Sequence, residues 1–180
     1  MNYSKALNEC IESAYMVAGH FGARYLESWH LLIAMSNHSY SVAGATLNDY
    51  PYEMDRLEEV ALELTETDYS QDETFTELPF SHRLQVLFDE AEYVASVVHA
   101  KVLGTEHVLY AILHDGNALA TRILERAGFS YEDKKDQVKI AAQKGIFSPN
   151  ISSQNVRNHN FLKLILMSGK LFLDNPLFCT

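Results

Sequence analysis

At 180 residues, 47% hydrophobic and 21% charged, the chain is long enough to bury one substantial core or two small ones in contact. Its net charge of −10 is uneven, because residues 146–180 carry Arg157, Lys163 and Lys170 against Asp174 alone, which leaves −12 on residues 1–145. Such a body repels nucleic acid and anionic membrane, although acidic side chains also simply keep a protein soluble. Cys10 and Cys179 are the only cysteines and frame neither a disulfide scaffold nor a CxxC metal site. Met1-Asn2-Tyr3-Ser4 leads straight into an amphipathic pattern, and no apolar run approaches the roughly 20 residues that span a bilayer. A cytoplasmic location with reduced thiols and no membrane or nucleic-acid partner is therefore expected.

From Ser4, a plausible N-cap, apolar residues fall at Leu7, Cys10, Ile11, Ala14, Val17 and Ala18, the spacing of one helix face. Gly19 and Gly22 end that helix, and Ser28 offers its hydroxyl to the free amides of a second one containing Leu31, Leu32 and Met35. A short third helix is expected around Val42 to Leu47. Pro51 breaks the chain, and a fourth helix from near Tyr52 would bury Met54, Leu57, Val60, Ala61 and Leu64.

Residues 65–79 hold Glu66, Asp68, Asp72, Glu73 and Glu77 without Lys or Arg and end at Pro79, the composition of a solvated acidic linker. The pattern then restarts. Ser81 stands where Ser4 stood, and Leu84, Leu87, Phe88, Ala91, Val94, Ala95 and Val98 line a new helix. At a shift of 77 positions Leu7, Ala14, Val17, Ala18, Leu26, His30, Leu32, Ala34, Ala43 and Leu47 meet identical residues at Leu84, Ala91, Val94, Ala95, Leu103, His107, Leu109, Ala111, Ala120 and Leu124. Thr105 is read as the cap of the second helix of this half and Asn117 as that of the third. Gly128 supplies a left-handed stop before a fourth helix from about Glu132 to Lys144. Two copies of one four-helix unit, residues 3–64 and 80–144, make an all-α, eight-helix domain over residues 1–145 with pseudo-twofold symmetry.

Residues 146–155 are turn-rich and without period. Phe161, Leu164, Ile165, Leu171 and Phe172 could form a short helix after them, interrupted by Gly169. Residues 146–180 are a linker or tail whose role stays open between a packing helix, a partner-binding helix and a truncated end.

The run Gly104-Thr105-Glu106-His107-Val108-Leu109, followed by the small-residue stretch Ala118-Leu119-Ala120-Thr121-Arg122-Ile123-Leu124, resembles the Clp N-terminal domain of Hsp100 chaperones over residues 3–143, most closely the ClpC branch. The resemblance implies a flexibly attached binding module that recruits substrate and adaptor proteins to Clp ATPase rings and, through them, to the Clp peptidase. It implies no bond chemistry, no cofactor and no metal. The chain agrees in lacking a G-x-x-x-x-G-K-[ST] phosphate loop. An alternative is a stand-alone regulator that binds a separate Clp ATPase or competes for its adaptors, with Trp29 and the acidic linker as contact surface.

ClpC members of the family read phosphorylated arginine through two symmetry-related pockets, each using the Glu of the G-T-E-H motif and groups at the start of a first helix. The resemblance maps one intact pocket onto Glu106, Thr105, Ser81 and Arg83. A carboxylate there would pair with the guanidinium fork, while an arginine and helix-terminal amides accept the phosphate. In the first half Trp29 replaces the acid and Ala6 the arginine, so no such pocket is expected. Trp29 is then either a core filler or an aromatic contact for a partner. Glu106 is read either as that ligand-binding acid or as a purely structural carboxylate favoured by the positive end of a helix.

His30 and His107 hold equivalent positions, which suggests one shared packing or hydrogen-bonding task and not a metal site. Ser81 beside His82 and Thr105 beside His107 do not make a hydrolase, since neighbours on a helix point to different faces. Tyr93, Tyr110 and Phe129 are read as core residues or, alternatively, as the lining of a peptide groove.

Overall fold

The computed structural model describes residues 1–48, 55–65, 78–116 and 118–129, all within the unit Met1–Ile146. Asn117, most of the acidic linker, the expected helix over residues 132–144 and the tail from 146 lie outside the described residues. Among those described, every regular element is a helix: α1 (Lys5–His20), α2 (Ser28–Asn37), α3 (Val42–Asn48), α4 (Asp55–Thr65), α5 (His82–Val97), α6 (Thr105–His114) and α7 (Leu119–Arg126). The bounds of α1 and α2 reappear 77 residues later as those of α5 and α6, and α7 starts where α3 predicts. The repeat is thus structural as well as sequential.

Local chemistry sets these bounds. Ser4 Oγ accepts the Leu7 amide at 3.2 Å and Ser81 Oγ that of Leu84 at 3.1 Å, so each first helix starts with a side-chain cap. Leu7, Cys10, Ala14 and Ala18 on α1 are buried, as are Leu84, Leu87, Phe88, Ala91, Val94 and Ala95 on α5. Both helices stop in one geometry. The amides of Gly22 and Ala23 bond Gly19 and Ala18 carbonyls, and those of His99 and Ala100 bond Ser96 and Ala95. The turn residue is left-handed in both: Gly22 at φ 61° and His99 at φ 56°. Gly128, at φ 96°, ends α7 in the same way.

Helices α2 and α6 form the centre, with nine of ten residues buried in each. An all-round apolar helix can only be placed inside. Each packs against the first helix of its own repeat, and α2 also touches α3, α4, α5, α6 and α7. Their starts differ from expectation. Ser28 and Thr105 are the first helical residues, while Glu27 and Gly104 hold the extended N-cap position. The shared histidines supply the capping: His30 Nδ1 accepts the Glu27 amide and His107 Nδ1 the Gly104 amide, each at 3.0 Å. That is the task a Glu or Gln performs in a capping box.

The repeats interlock by exchange. Tyr3 bridges Leu103 and Phe80 bridges Leu26, two parallel pairings related by the same shift of 77. Ser4 donates to the Leu103 carbonyl at 2.8 Å and Ser81 to that of Leu26 at 2.9 Å. Each first helix therefore starts beside the second helix of the other repeat. Trp29 is buried at 5% exposure, edge-on to Phe21 with ring centroids 4.8 Å apart, and packs as part of the core. Tyr110 and Phe129 are also buried and Tyr93 is exposed, so these three do not line one groove.

Candidate binding site

Two junctions of paired helix starts follow from the exchange. At the first, α1 and α6 leave the Tyr3–Leu103 bridge side by side, and their unbonded amides make the place favourable for negative charge. Glu106, second residue of α6, sits there with only 8% of its surface exposed. Its carboxylate lies over Gly104, where a Cβ would collide with it. Burial raises its pKa above the ordinary carboxylate range, partly offset by a hydrogen bond from its own amide. His107 Nδ1 lies 3.6 Å from the carboxylate, but that nitrogen accepts the Gly104 amide and so carries no proton. The contact is not an ion pair, and among the described residues no Lys or Arg reaches Glu106.

Thr105 does not cap its own helix. Only 2% exposed, its Oγ1 accepts the Ala43 amide at 3.3 Å, so it helps to cap α3 of the other repeat. Here tertiary exchange overrides the local capping rule: the Tyr3–Leu103 pairing keeps Gly104 extended, and Thr105 turns inward.

Ser81 and Arg83 belong to the second junction, where α5 and α2 leave the Phe80–Leu26 bridge. Arg83 makes a two-pronged bond to Asp115, Nε to Oδ2 at 2.9 Å and Nη2 to Oδ1 at 2.8 Å, on the surface. Asp115 is the C-cap of α6 and Glu106 stands near its start. Eight helical residues separate Glu106 from Asp115, a rise of about 13 Å. The structure thus keeps Glu106 and Thr105 on one helix start and sets Ser81 and Arg83 at the other junction. Gly104 in the motif and Ser4 as a cap are both legible in the sequence, but their meeting beside Glu106 is not. Gly104 stands opposite Glu27 in the repeat, and that difference was the available signal.

A shallow cavity of about 320 Å³ lies between α4 and α7, lined by Leu64, Arg122, Glu125 and Arg126, and takes in none of the four assigned residues. Arg126 there is shared with Glu63 at 3.5 Å. Among the described residues no group of three His, Cys, Asp or Glu side chains is placed to hold a metal ion, and no helix is long and apolar enough to cross a membrane.

Fold and junctions together define a double-repeat helical domain with one buried acid among the described residues. Residues 2–127 match the family described as the Clp repeat (R) N-terminal domain, and the chain belongs to that family. No curated protein sequence matches it. Among solved structures it is similar to the N-terminal domain of the caseinolytic protease associated chaperone ClpD from Arabidopsis thaliana, at 18% identity over 79% of this chain and 95% of that one, with a TM-score of 0.64. The Hsp104 N-terminal domain from Candida albicans is similar at 18% identity over 83% and 98%, with a TM-score of 0.63. A ClpV N-domain solved in complex with a VipB peptide follows at 18% over 79% and 88%, with a TM-score of 0.57. Likeness at this identity establishes the shared fold. It spreads evenly over ClpD, Hsp104 and ClpV and singles out no ClpC branch.

Proposed function

We propose that this chain is a non-catalytic recruiting module that hands substrate and adaptor proteins to Clp ATPase rings, with residues 1–145 as the binding domain. The observation that carries the reading is Glu106: a buried carboxylate without a cationic partner among the described residues, accommodated only because Gly104 has no side chain. A buried carboxylate that meets helix-start amides but no cation among the described residues leaves room for a cationic ligand, and perturbed acids of this kind cluster at binding sites. Glu106 supplies the carboxylate for a guanidinium fork, and the paired helix starts beside it supply amides for an attached phosphate. This is the ClpC-like mode, the reading of phosphoarginine. Of the four residues that the resemblance assigns, Glu106 is the direct contact and Thr105 holds the helix start in place. Ser81 and Arg83 serve the opposite junction, where Arg83 would have to leave Asp115 to meet a phosphate.

Calorimetric titration with free phosphoarginine tests this. Binding by the wild type that Glu106→Gln abolishes and Arg83→Ala preserves is the expected result. No binding by the wild type, or equal binding by Glu106→Gln, sinks the pocket and leaves recruitment of adaptors by another surface as the function.

A further inference from the structure

Helix α5 carries three large apolar side chains in water: Val86 at 51% exposure, Tyr93 at 43% and Val97 at 40%. Their spacing of seven and four places them on one face, a stripe about 16 Å long. The pseudo-twofold repeat provides an internal control. The positions that match 86, 90, 93 and 97 on α1 are Glu9, Ser13, Met16 and His20, of which only Met16 is apolar. There Glu9 accepts a hydrogen bond from Tyr40 at 2.8 Å, and Ser13 bonds His38 at 2.8 Å, a surface finished with polar groups. One fold therefore tolerates polar residues at these positions, and Val86 and Val97 are not required by it. Exposed β-branched residues also lose side-chain freedom in a helix, so they do not serve the helix either.

We infer that the α5 stripe is a docking face for a basic amphipathic helix of a partner protein, an inference that rests on the recruiting-module reading and adds a second contact surface to it. Charge selects the occupant. Glu90 lies on the stripe itself between Val86 and Tyr93 and Asp89 on its flank, whereas Glu92 points about 120° away; Arg83, the one Lys or Arg of this helix, is taken up by Asp115. Glu92 meets the chain's amino terminus at 2.9 Å and Glu90 meets His114 at 2.7 Å, but both pairs lie at the surface, where water leaves the carboxylates open to a further cation. A second copy of this chain, at −10, would set these carboxylates against one another. A helix with apolar residues at every third and fourth position and lysines beside them meets both the stripe and its rim.

The probe is a synthetic helix of about 18 residues, long enough to cover the stripe, with leucine on one face and lysine elsewhere, titrated into the full chain by fluorescence anisotropy. Binding is expected to weaken with salt and to fall at least about tenfold in Val86→Glu/Val97→Glu, whose melting temperature stays that of the wild type. Equal binding by that variant, equal binding of the same peptide with glutamate for lysine, or a dimer in sedimentation that the double variant dissolves would each overturn it. Should the double variant unfold, methyl shifts of Val86 and Val97 on adding peptide to the wild type decide the matter, their absence being fatal. Glu106→Gln leaves this titration unchanged, so loss of phosphoarginine binding and loss of peptide binding identify separate failures.

Discussion

Gly104 and Glu106 share one space: the carboxylate of the second occupies the volume that a side chain on the first would fill. In the first repeat the matching pair is Glu27 and Trp29, where the side chain at position 27 is present and the indole turns inward onto Phe21. The two copies have exchanged an acid at the helix start for a piece of core.

Replacing Gly104 by Ala is therefore expected to expel the Glu106 carboxylate from its position. Phosphoarginine affinity should fall to that of Glu106→Gln. The control substitution Gly22→Ala, at a turn between α1 and α2, should instead lower stability alone, by about 1–2 kcal/mol for its left-handed backbone. Paired calorimetry and thermal denaturation separate the two.

Glu106→Gln should raise the melting temperature at pH 7.5. The pKa of Glu106 is raised in the folded chain, so the folded state resists its ionisation; stability associated with the group is full below about pH 4.5 and is lost as pH rises through its folded pKa. The neutral amide escapes that loss. The gain over the wild type should vanish by about pH 4, and a gain equal at both pH values would show that charge is not its cause.

His30 works in the opposite direction. Burial lowers its pKa to about 3, against about 6.5 in the unfolded chain. The unfolded state takes up a proton that the native state refuses, so stability is complete above about pH 6.5 and declines as pH falls from there toward about 3, by at most about 1.4 kcal/mol per unit. His30→Gln retains an acceptor for the Glu27 amide and should flatten this slope between about pH 6 and 4 in urea titrations.

What the sequence disclosed was whatever is decided within a few residues of chain or by the repeat. Ser4 and Ser81 cap because a hydroxyl before a helix meets free amides, and the apolar stripes of α1 and α5 are buried because their spacing leaves one face dry. The shared task of His30 and His107 was visible as a shared position, and its nature, accepting an N-cap amide, needed only the helix start. Contacts across the pseudo-twofold were not visible. Thr105 has the local signature of a cap yet serves Ala43, 62 positions away, and Arg83 meets Asp115 because the start of α5 lies beside the end of α6. Which helix start faces Glu106 depends on the exchange of Tyr3 and Phe80 between repeats, and nothing in the spacing of either copy specifies an exchange.

Thr105→Val keeps the shape of the side chain and removes the acceptor for the Ala43 amide. About 1 kcal/mol of stability should be lost, the usual worth of a cap, with faster hydrogen exchange at Ala43 in the first repeat although the change lies in the second. Exchange altered only around residue 105 would mean that the link between repeats contributes nothing.

Gly44 and Thr121 solve one problem in two ways, and substituting them tests whether the repeats are interchangeable. A Cβ on Gly44 would run into the carbonyl groups of His38 and Met35, because α3 approaches the end of α2 too closely for any side chain. At the matching place in the second repeat, Thr121 Oγ1 donates to the carbonyls of Ile112 at 3.0 Å and Asp115 at 2.9 Å, the positions equivalent to Met35 and His38. The hydroxyl fills the distance that glycine closes. Gly44→Thr should thus destabilise by more than about 2 kcal/mol, as overpacking against backbone does, even though it copies the other repeat. Thr121→Val should cost about 1–2 kcal/mol through the lost hydrogen bond in a buried position. If Gly44→Thr were tolerated in urea unfolding, the two third helices would sit at equal distances from their neighbours, contrary to the packing described.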